Sequence, residues 1–259
     1  MAGHSHSSNI RFRKDRVDAK RAKAFAKLSR TISVAARQGG ASLDGNSKLR
    51  LAVDKARVLS MSKEVIDRAI KKGVGETGGG DFEEVVYEGY GPGGVALVLE
   101  ILTDNRHRTA ADVRLILDKY GGNLGTTGSV AWMFERRGRF VVDAAPKDGP
   151  AVAEERLLEI ALEAGAEDLQ REDDNYFVFC RLADFPAVKD GLDRSRVPLV
   201  AAELAYVPNQ RVVVDDVGMA NRILKLVDAL EDHDDVQSVH SNEDFTAAVA
   251  AALAGQEAP

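Results

Sequence analysis

The glycine-rich stretch "GVGETGGGD" (residues 73–81) divides the chain into two parts of different texture. That break constrains the fold more than any other feature. Before it, apolar residues recur at steps of three and four; after it, short β-branched runs alternate with helical stretches. A chain patterned this way reads as a helical module followed by α+β structure.

In the first part, Asp15 to Gln38 is helical by pattern, with Val17, Phe25, Leu28, Ile32 and Ala35 on one side and Gly39-Gly40 as the stop. At 100° per residue, Arg13, Arg16, Lys20, Lys23, Lys27 and Arg30 fall within an arc of roughly 100° on the other side. Arg21 intrudes on the apolar side. "SLDGN" is a turn, and "SKLRLAVDKARVL" and "SKEVIDRAIKKG" read as two short helices. Ser47 and Ser62 are their candidate N-caps, and Gly73 is the stop after Lys71-Lys72. Residues 1 to 14 lack apolar periodicity and read as a basic arm.

In the second part, "EEVVYEGY" and "VALVLEIL" are strand-like, "RTAADVRLILDKYGG" is a helix, and "SVAWMFERRGRFVVD" is a hairpin candidate. A helix in "PAVAEERLLEIALEAGA", two strands around Asp173-Asp174-Asn175, a short helix in "FPAVKDGLDRS" and a strand-rich "LVAAELAYVPNQRVVV" follow. Helix "MANRILKLVDALEDH", strand "VQSVHS" and a frayed or disordered tail close the chain. The alternation fits α+β with mostly antiparallel sheets covered on one face. The expected domains are 1–78 (basic, helical), 79–137 with 208–245 (a discontinuous middle domain), 138–207 (inserted) and 246–259 (tail).

Charge sharpens the division. Residues 1–72 carry 18 Lys and Arg against 6 Asp and Glu, or +12; the remainder carries −18, giving the chain's net −6. A basic end on an acidic body suggests a polyanion-binding module on a scaffold that repels the same polyanion. Arg11, Lys14 and Arg21 extend the cationic set, with Arg68, Lys71 and Lys72 beyond it. Phosphate neutralisation gives affinity with little sequence information, and base-reading helices often carry Asn or Gln, absent from this helix before Gln38. No apolar run approaches the ~18 residues of a membrane span. The N-terminus has no apolar stretch behind its charges, so a secretory signal is not expected. The single Cys180, in the apolar run "NYFVFCRL", reads as a core residue, and a reducing cytoplasm as the location.

Three patterns hint at chemistry. Gly89, Gly91 and Gly94 fit the spacing of a dinucleotide loop, but a β-branched run follows them where a helix should open, and Pro92 removes an amide donor. The expected structure is strand–turn–strand, and no cofactor is expected. His4, His6, His107, His233 and His240 lack zinc spacing, and an Ala-Gly-His terminus exposed by loss of Met1 would offer only an incidental copper or nickel affinity. "TDNRHRT" places Asp104, Asn105, Arg106, His107 and Arg108 where a strand meets a helix; helix capping with exposed arginines, an accessory nucleic-acid contact and, more remotely, catalysis are the readings.

The motifs taken together resemble the YebC family. "AGHS", "NI", "RK" and "KRAK", then "VDKA", "SMSKEVIDRAIKKG", "YEGYGPGGVAL", "LTDNR", "GGNLGTTGSVAWMF" and the later "YVPNQRVVV" stand in family order. The resemblance implies an N-terminal helical bundle plus two ferredoxin-like α+β domains, one inserted in the other. It implies a non-enzymatic regulator of gene expression. Members are commonly described as DNA-binding transcriptional regulators; the mitochondrial relative is a translational activator, and bacterial members are also placed at the ribosome, relieving stalls at proline-rich stretches. Its motif positions are His4, Ser5, Asn9, Lys14, Asp18, Lys20 and Arg21, then Met61, Arg68, Lys71 and Lys72, with Tyr87, Glu88, Tyr90, Asp104, Asn105, Arg106 and Arg108 as accessory loops. The chain departs from the family in carrying His6-Ser7 for Lys-Trp and Met61-Ser62 for Met-Pro. The expected partner is nucleic acid, either DNA or ribosomal and transfer RNA, with no small-molecule substrate and no membrane, and a monomer favoured.

Overall fold

The computed structural model describes residues 21–75, 82–146, 149–172 and 174–256. Three helices come first: α1 (Arg21–Gly39), α2 (Ser47–Val58) and α3 (Lys63–Val74). Then follow β1 (Glu83–Tyr90), β2 (Ala96–Thr103), α4 (Arg106–Tyr120) and β3 (Asn123–Leu124). Next are β4 (Phe134–Asp143), α5 (Glu154–Glu163), β5 (Asp168–Glu172), β6 (Asn175–Cys180), α6 (Phe185–Arg194) and β7 (Leu199–Pro208). The last elements are β8 (Val212–Val214), α7 (Val217–Glu231), β9 (Val236–Ser241), β10 (Glu243–Phe245) and α8 (Ala247–Gln256). The fold class is α+β, as the alternation of elements led one to expect.

The described chain forms two compact units, residues 21–131 with 218–241, and residues 132–217 with 242–256. In the first, the helical module closes around Leu28, Ile32, Leu49, Val53, Met61 and Ile66. Small residues let α1 and α3 approach closely: Ser33 Oγ donates to the Ala69 carbonyl at 2.8 Å. A Cβ on Gly73 would stand 2.2 Å from the Ser33 carbonyl oxygen. Gly73 is therefore a packing residue and not the helix stop; α3 runs on to Val74, with Gly75 at its C-cap. The cap of α2 is Asn46 and not Ser47. Asn46 Oδ1 accepts the Leu49 amide at 3.0 Å, and Asn46 Nδ2 donates to the Ala35 and Gly40 carbonyls, so one buried carboxamide satisfies two helix ends. Ser62 does stand at the N-cap of α3, without a side-chain capping bond.

The sheet of this unit has the order β3-β1-β2-β9, each neighbour antiparallel. The hairpin β1–β2 pairs Glu83 with Thr103 through to Tyr90 with Ala96. Strand β9 completes the sheet after α7, far along the chain. The second unit runs β-α-β-β-α-β into a sheet of order β5-β6-β4-β7, the split arrangement of ferredoxin-like folds. Phe140 of β4 stacks on Phe185 of α6 with ring centroids 4.7 Å apart. The expected hairpin in 129–143 is instead one strand, β4, behind a 3-10 turn at Ala131–Met133. Gly138 is mid-strand: its Cβ would lie 2.5 Å from Cys180 Sγ and 2.7 Å from Phe185 Cδ2. The tail is held as α8 by buried Val249 and Leu253.

Candidate nucleic-acid interface

The cations of α1 have specific partners. Lys27 Nζ donates to the carbonyls of Glu231 at 2.5 Å and Val236 at 2.6 Å. Glu231 is the last residue of α7, so the ammonium sits where the helix presents unpaired carbonyls. Burial lowers the Lys27 pKa to about 8, with nearby Lys23 adding to the effect and Glu231, Asp234 and Asp232 opposing it. Arg30 Nη1 donates to the Asp234 carbonyl at 3.1 Å and to Asp235 Oδ1 at 3.0 Å, and its guanidinium lies over the Phe82 ring at 5.2 Å. Lys23 stands 3.7 Å from Asp234, an exposed pair. Half of the six-cation arc therefore faces the acidic segment 231–236 in this form.

The other residues named from sequence separate into groups. His4, Ser5, Asn9, Arg11, Arg13, Lys14, Arg16, Asp18 and Lys20 lie outside the described residues, as does the side chain of Arg21. Met61, a family motif position, is buried in the module's core at 5% exposure and is not on the surface open to a nucleic acid. Arg68, Lys71 and Lys72 are exposed on α3, at spacings of three and four that put them on one side of the helix. They form no ion pair with the described residues.

The glycine loop is a turn. Gly93 and Gly94 take φ of 73° and 77°, and the Gly91 amide donates to the Val95 carbonyl at 2.7 Å. Its flanking residues brace the loop after β3. Glu88 is 5% exposed; its Oε1 accepts the Gly128 amide at 2.6 Å, and its Oε2 those of Val130 and Ala131 at 2.8 and 2.7 Å. Burial alone would raise the Glu88 pKa, but the three amides outweigh it and the carboxyl titrates below the ordinary glutamate range. Tyr90 Oη donates to the Ser129 carbonyl and Tyr87 Oη to that of Arg106, each at 3.0 Å.

"TDNRHRT" is a junction built on Asp235, which sequence reasoning missed. Thr109 Oγ1 donates to Asp235 Oδ2 at 2.7 Å, Arg108 Nη2 at 2.8 Å and Thr103 Oγ1 at 3.2 Å. Burial would raise the Asp235 pKa, but the bonds from Arg108 and Thr109 hold it below the ordinary carboxylate range. Asn105 caps α4, accepting the Arg108 amide at 3.1 Å, while Arg106 pairs with Glu83 and Asp104 with Arg108, each at 2.8 Å. Two sets of residues that the sequence kept apart, the α1 cations and this motif, thus meet on one carboxylate. A cleft of about 530 Å³ opens beside it, lined by Lys23, Arg30, Phe82, Asp104, Arg108, Asp112 and residues 232–235.

Among the described residues no group of His, Cys, Asp and Glu side chains is placed to hold a metal ion, and no helix is long and apolar enough to cross a membrane. Cys180 is buried, and burial with nearby Asp184 pushes its thiol up to about 11.

Fold and site define a class: an α+β protein that joins a strongly basic three-helix module to ferredoxin-like structure. Comparison with known proteins gives the family within that class. Residues 5–76 match the TACO1/YebC protein N-terminal domain, and residues 82–243 match the TACO1/YebC second and third domain. The chain belongs to the TACO1/YebC family. It is 50% identical over 245 residues to a protein of Halothermothrix orenii described as a probable transcriptional regulatory protein, covering 95% of this chain and 96% of that one. A protein of Rubrobacter xylanophilus with the same description is 47% identical over 98% of this chain and all of its own length. The crystal structure of a conserved hypothetical protein from Aquifex aeolicus superposes with a TM-score of 0.79 at 44% identity, covering 88% of this chain and 92% of that one.

Proposed function

We propose that this chain is a non-enzymatic, nucleic-acid-binding regulator of gene expression whose basic helical module grips phosphate. The observation that carries this reading is the exposed cationic side of α3, where Arg68, Lys71 and Lys72 stand together on one helix. Cations presented this way suit phosphate oxygens. The description of the relatives as probable transcriptional regulatory proteins makes duplex DNA the first target to test. The cytoplasm is the compartment proposed for this role.

One observation favours a second target, structured RNA on the ribosome. Within the described helical module the Asn and Gln side chains are Asn46, buried in its cap, and Gln38, at the end of α1. That leaves little to read base edges, whereas structured RNA is recognised largely by shape and phosphate. Co-sedimentation with ribosomes, beside titration of a random DNA duplex at about 0.05 and 0.2 M salt, separates the two. Ribosome association that survives the higher salt while duplex binding is lost supports the translational role. Loss of both at the higher salt removes the ribosomal reading and leaves a sequence-specific duplex site, the transcriptional role, as the one to titrate next. No binding to either at the lower salt overturns the proposal.

A further inference from the structure

We infer that segment 231–236 acts as an internal stand-in for a polyanion, and that a nucleic acid must displace it to reach the full basic face of α1. The inference rests on the proposed binding role and adds a competition to it. The contacts have the chemistry of a phosphate site. Lys27 takes two carbonyl oxygens, Arg30 takes a carbonyl and a carboxylate oxygen, and Lys23 faces a carboxylate. These are the acceptor types that would otherwise be phosphate oxygens.

Three features suit the contact to exchange. First, it is polar at its rim: Lys23 and Asp234 expose 42% and 68% of their side chains, and such pairs are weak and screened by salt. Second, Lys27 is held with its pKa depressed to about 8, so the closed form strains against its charge at neutral pH. Third, Asp235 keeps Arg108, Thr103 and Thr109 when Arg30 leaves, so opening strands no buried carboxylate. The apolar side of α1 belongs to the core of its own three-helix module, so releasing the segment leaves that core intact.

The contact can be locked. Thr31 Oγ1 lies 2.9 Å from Gln237 Oε1, beside the cations. In the full chain carrying Thr31→Cys and Gln237→Cys, a short thiol crosslinker cleavable by reductant should join the two. Cys180 is fully buried and should not react. The probe is a random DNA duplex. The crosslinked protein should bind at least about tenfold more weakly than after reduction, and its slope of log affinity against log salt should be shallower by about 2 to 3, one step of ~0.9 for each of three cations withheld. Independently, Asp234→Asn should tighten binding about two- to fourfold, the range of a surface ion pair. Asp193→Asn, an exposed acid on α6 with the same charge change, should not alter it.

Equal affinity before and after reduction overturns the competition while leaving the binding role intact. So does failure of the two thiols to join in the free protein, or equal effects of the two aspartate changes. If neither the reduced variant nor the parent binds, the binding role itself fails and the competition with it.

Discussion

Gly73→Ala sets two principles against each other, and the geometry decides the sign. In a helix interior alanine is favoured over glycine by about 1 kcal/mol, so helix propensity alone would make this variant more stable. The added Cβ, however, would meet the Ser33 carbonyl oxygen at 2.2 Å and Ala36 Cβ at 2.8 Å. The first is backbone and cannot rotate away, so α1 and α3 must separate. Overpacking of this kind costs about 1–3 kcal/mol. The separation also stretches the bond from Ser33 Oγ to the Ala69 carbonyl, 2.8 Å in the structure, which contributes about 1 kcal/mol. The net expectation is a loss of roughly 2 kcal/mol, or a fall in Tm of about 4–8 °C for a protein of this size. Thermal melts followed by far-ultraviolet circular dichroism measure it. Gly255→Ala is the control: nothing stands within 4 Å of its added Cβ, and a small gain is expected. A Gly73→Ala protein as stable as the parent, or more so, would refute the close approach of α1 to α3.

Glu88→Gln keeps the shape but turns an NH₂ toward backbone donors. The expected loss is about 1–3 kcal/mol in a denaturant titration, with the loop at 125–131 loosened first in hydrogen exchange. Glu88 and Asp235 both titrate below their ordinary ranges, so their stabilisation is present above about pH 4 and is lost as pH falls through the lowered values. A melt series in acid should show that decline, and Glu88→Gln should flatten part of it. Lys27 has the opposite sign. Its pKa is near 8 in the closed contact, against about 10.4 when free, so closure strengthens between pH 8 and 10. Lys23, Arg30, Glu231, Asp232 and Asp234 are the charged groups that face it. Duplex affinity should therefore fall on going from pH 7 to 9, and Lys27→Met should abolish the part of the change that belongs to this residue.

Much of the fold was legible because it is periodic. The step of three and four around Phe25, Leu28, Ile32 and Ala35 describes α1, and β-branched "VALVLEIL" after the glycines makes the hairpin. The role of Gly73 was not legible, because a helix stop and a close approach use the same residue and only the position of Ser33 distinguishes them. Asn46 and Ser47 are adjacent and both cap helices well, so which one does so depends on where the chain turns. Strands β3 and β10, of two and three residues, are too short to carry a period. The charge arc was found, but its acceptors were not: Lys27 reaches carbonyls 204 and 209 residues away, and a carbonyl has no letter in the sequence. The acidic run "EDHDD" (231–235) was a signal that could have pointed to them, lying as it does just where α7 ends.

On the proposed function, the basic helical module takes hold of phosphate. The most direct test is Arg68→Glu, Lys71→Glu and Lys72→Glu together, in the full chain, with duplex and ribosome binding measured at about 0.05 M salt beside a thermal melt. These side chains are exposed, so Tm should stay within a few degrees of the parent. Binding to both polyanions should fall by at least about a hundredfold, as three phosphate contacts become three repulsions. Unchanged affinity with an unchanged melt would mean that the cationic side of α3 is only a solvated surface, and would contradict the account.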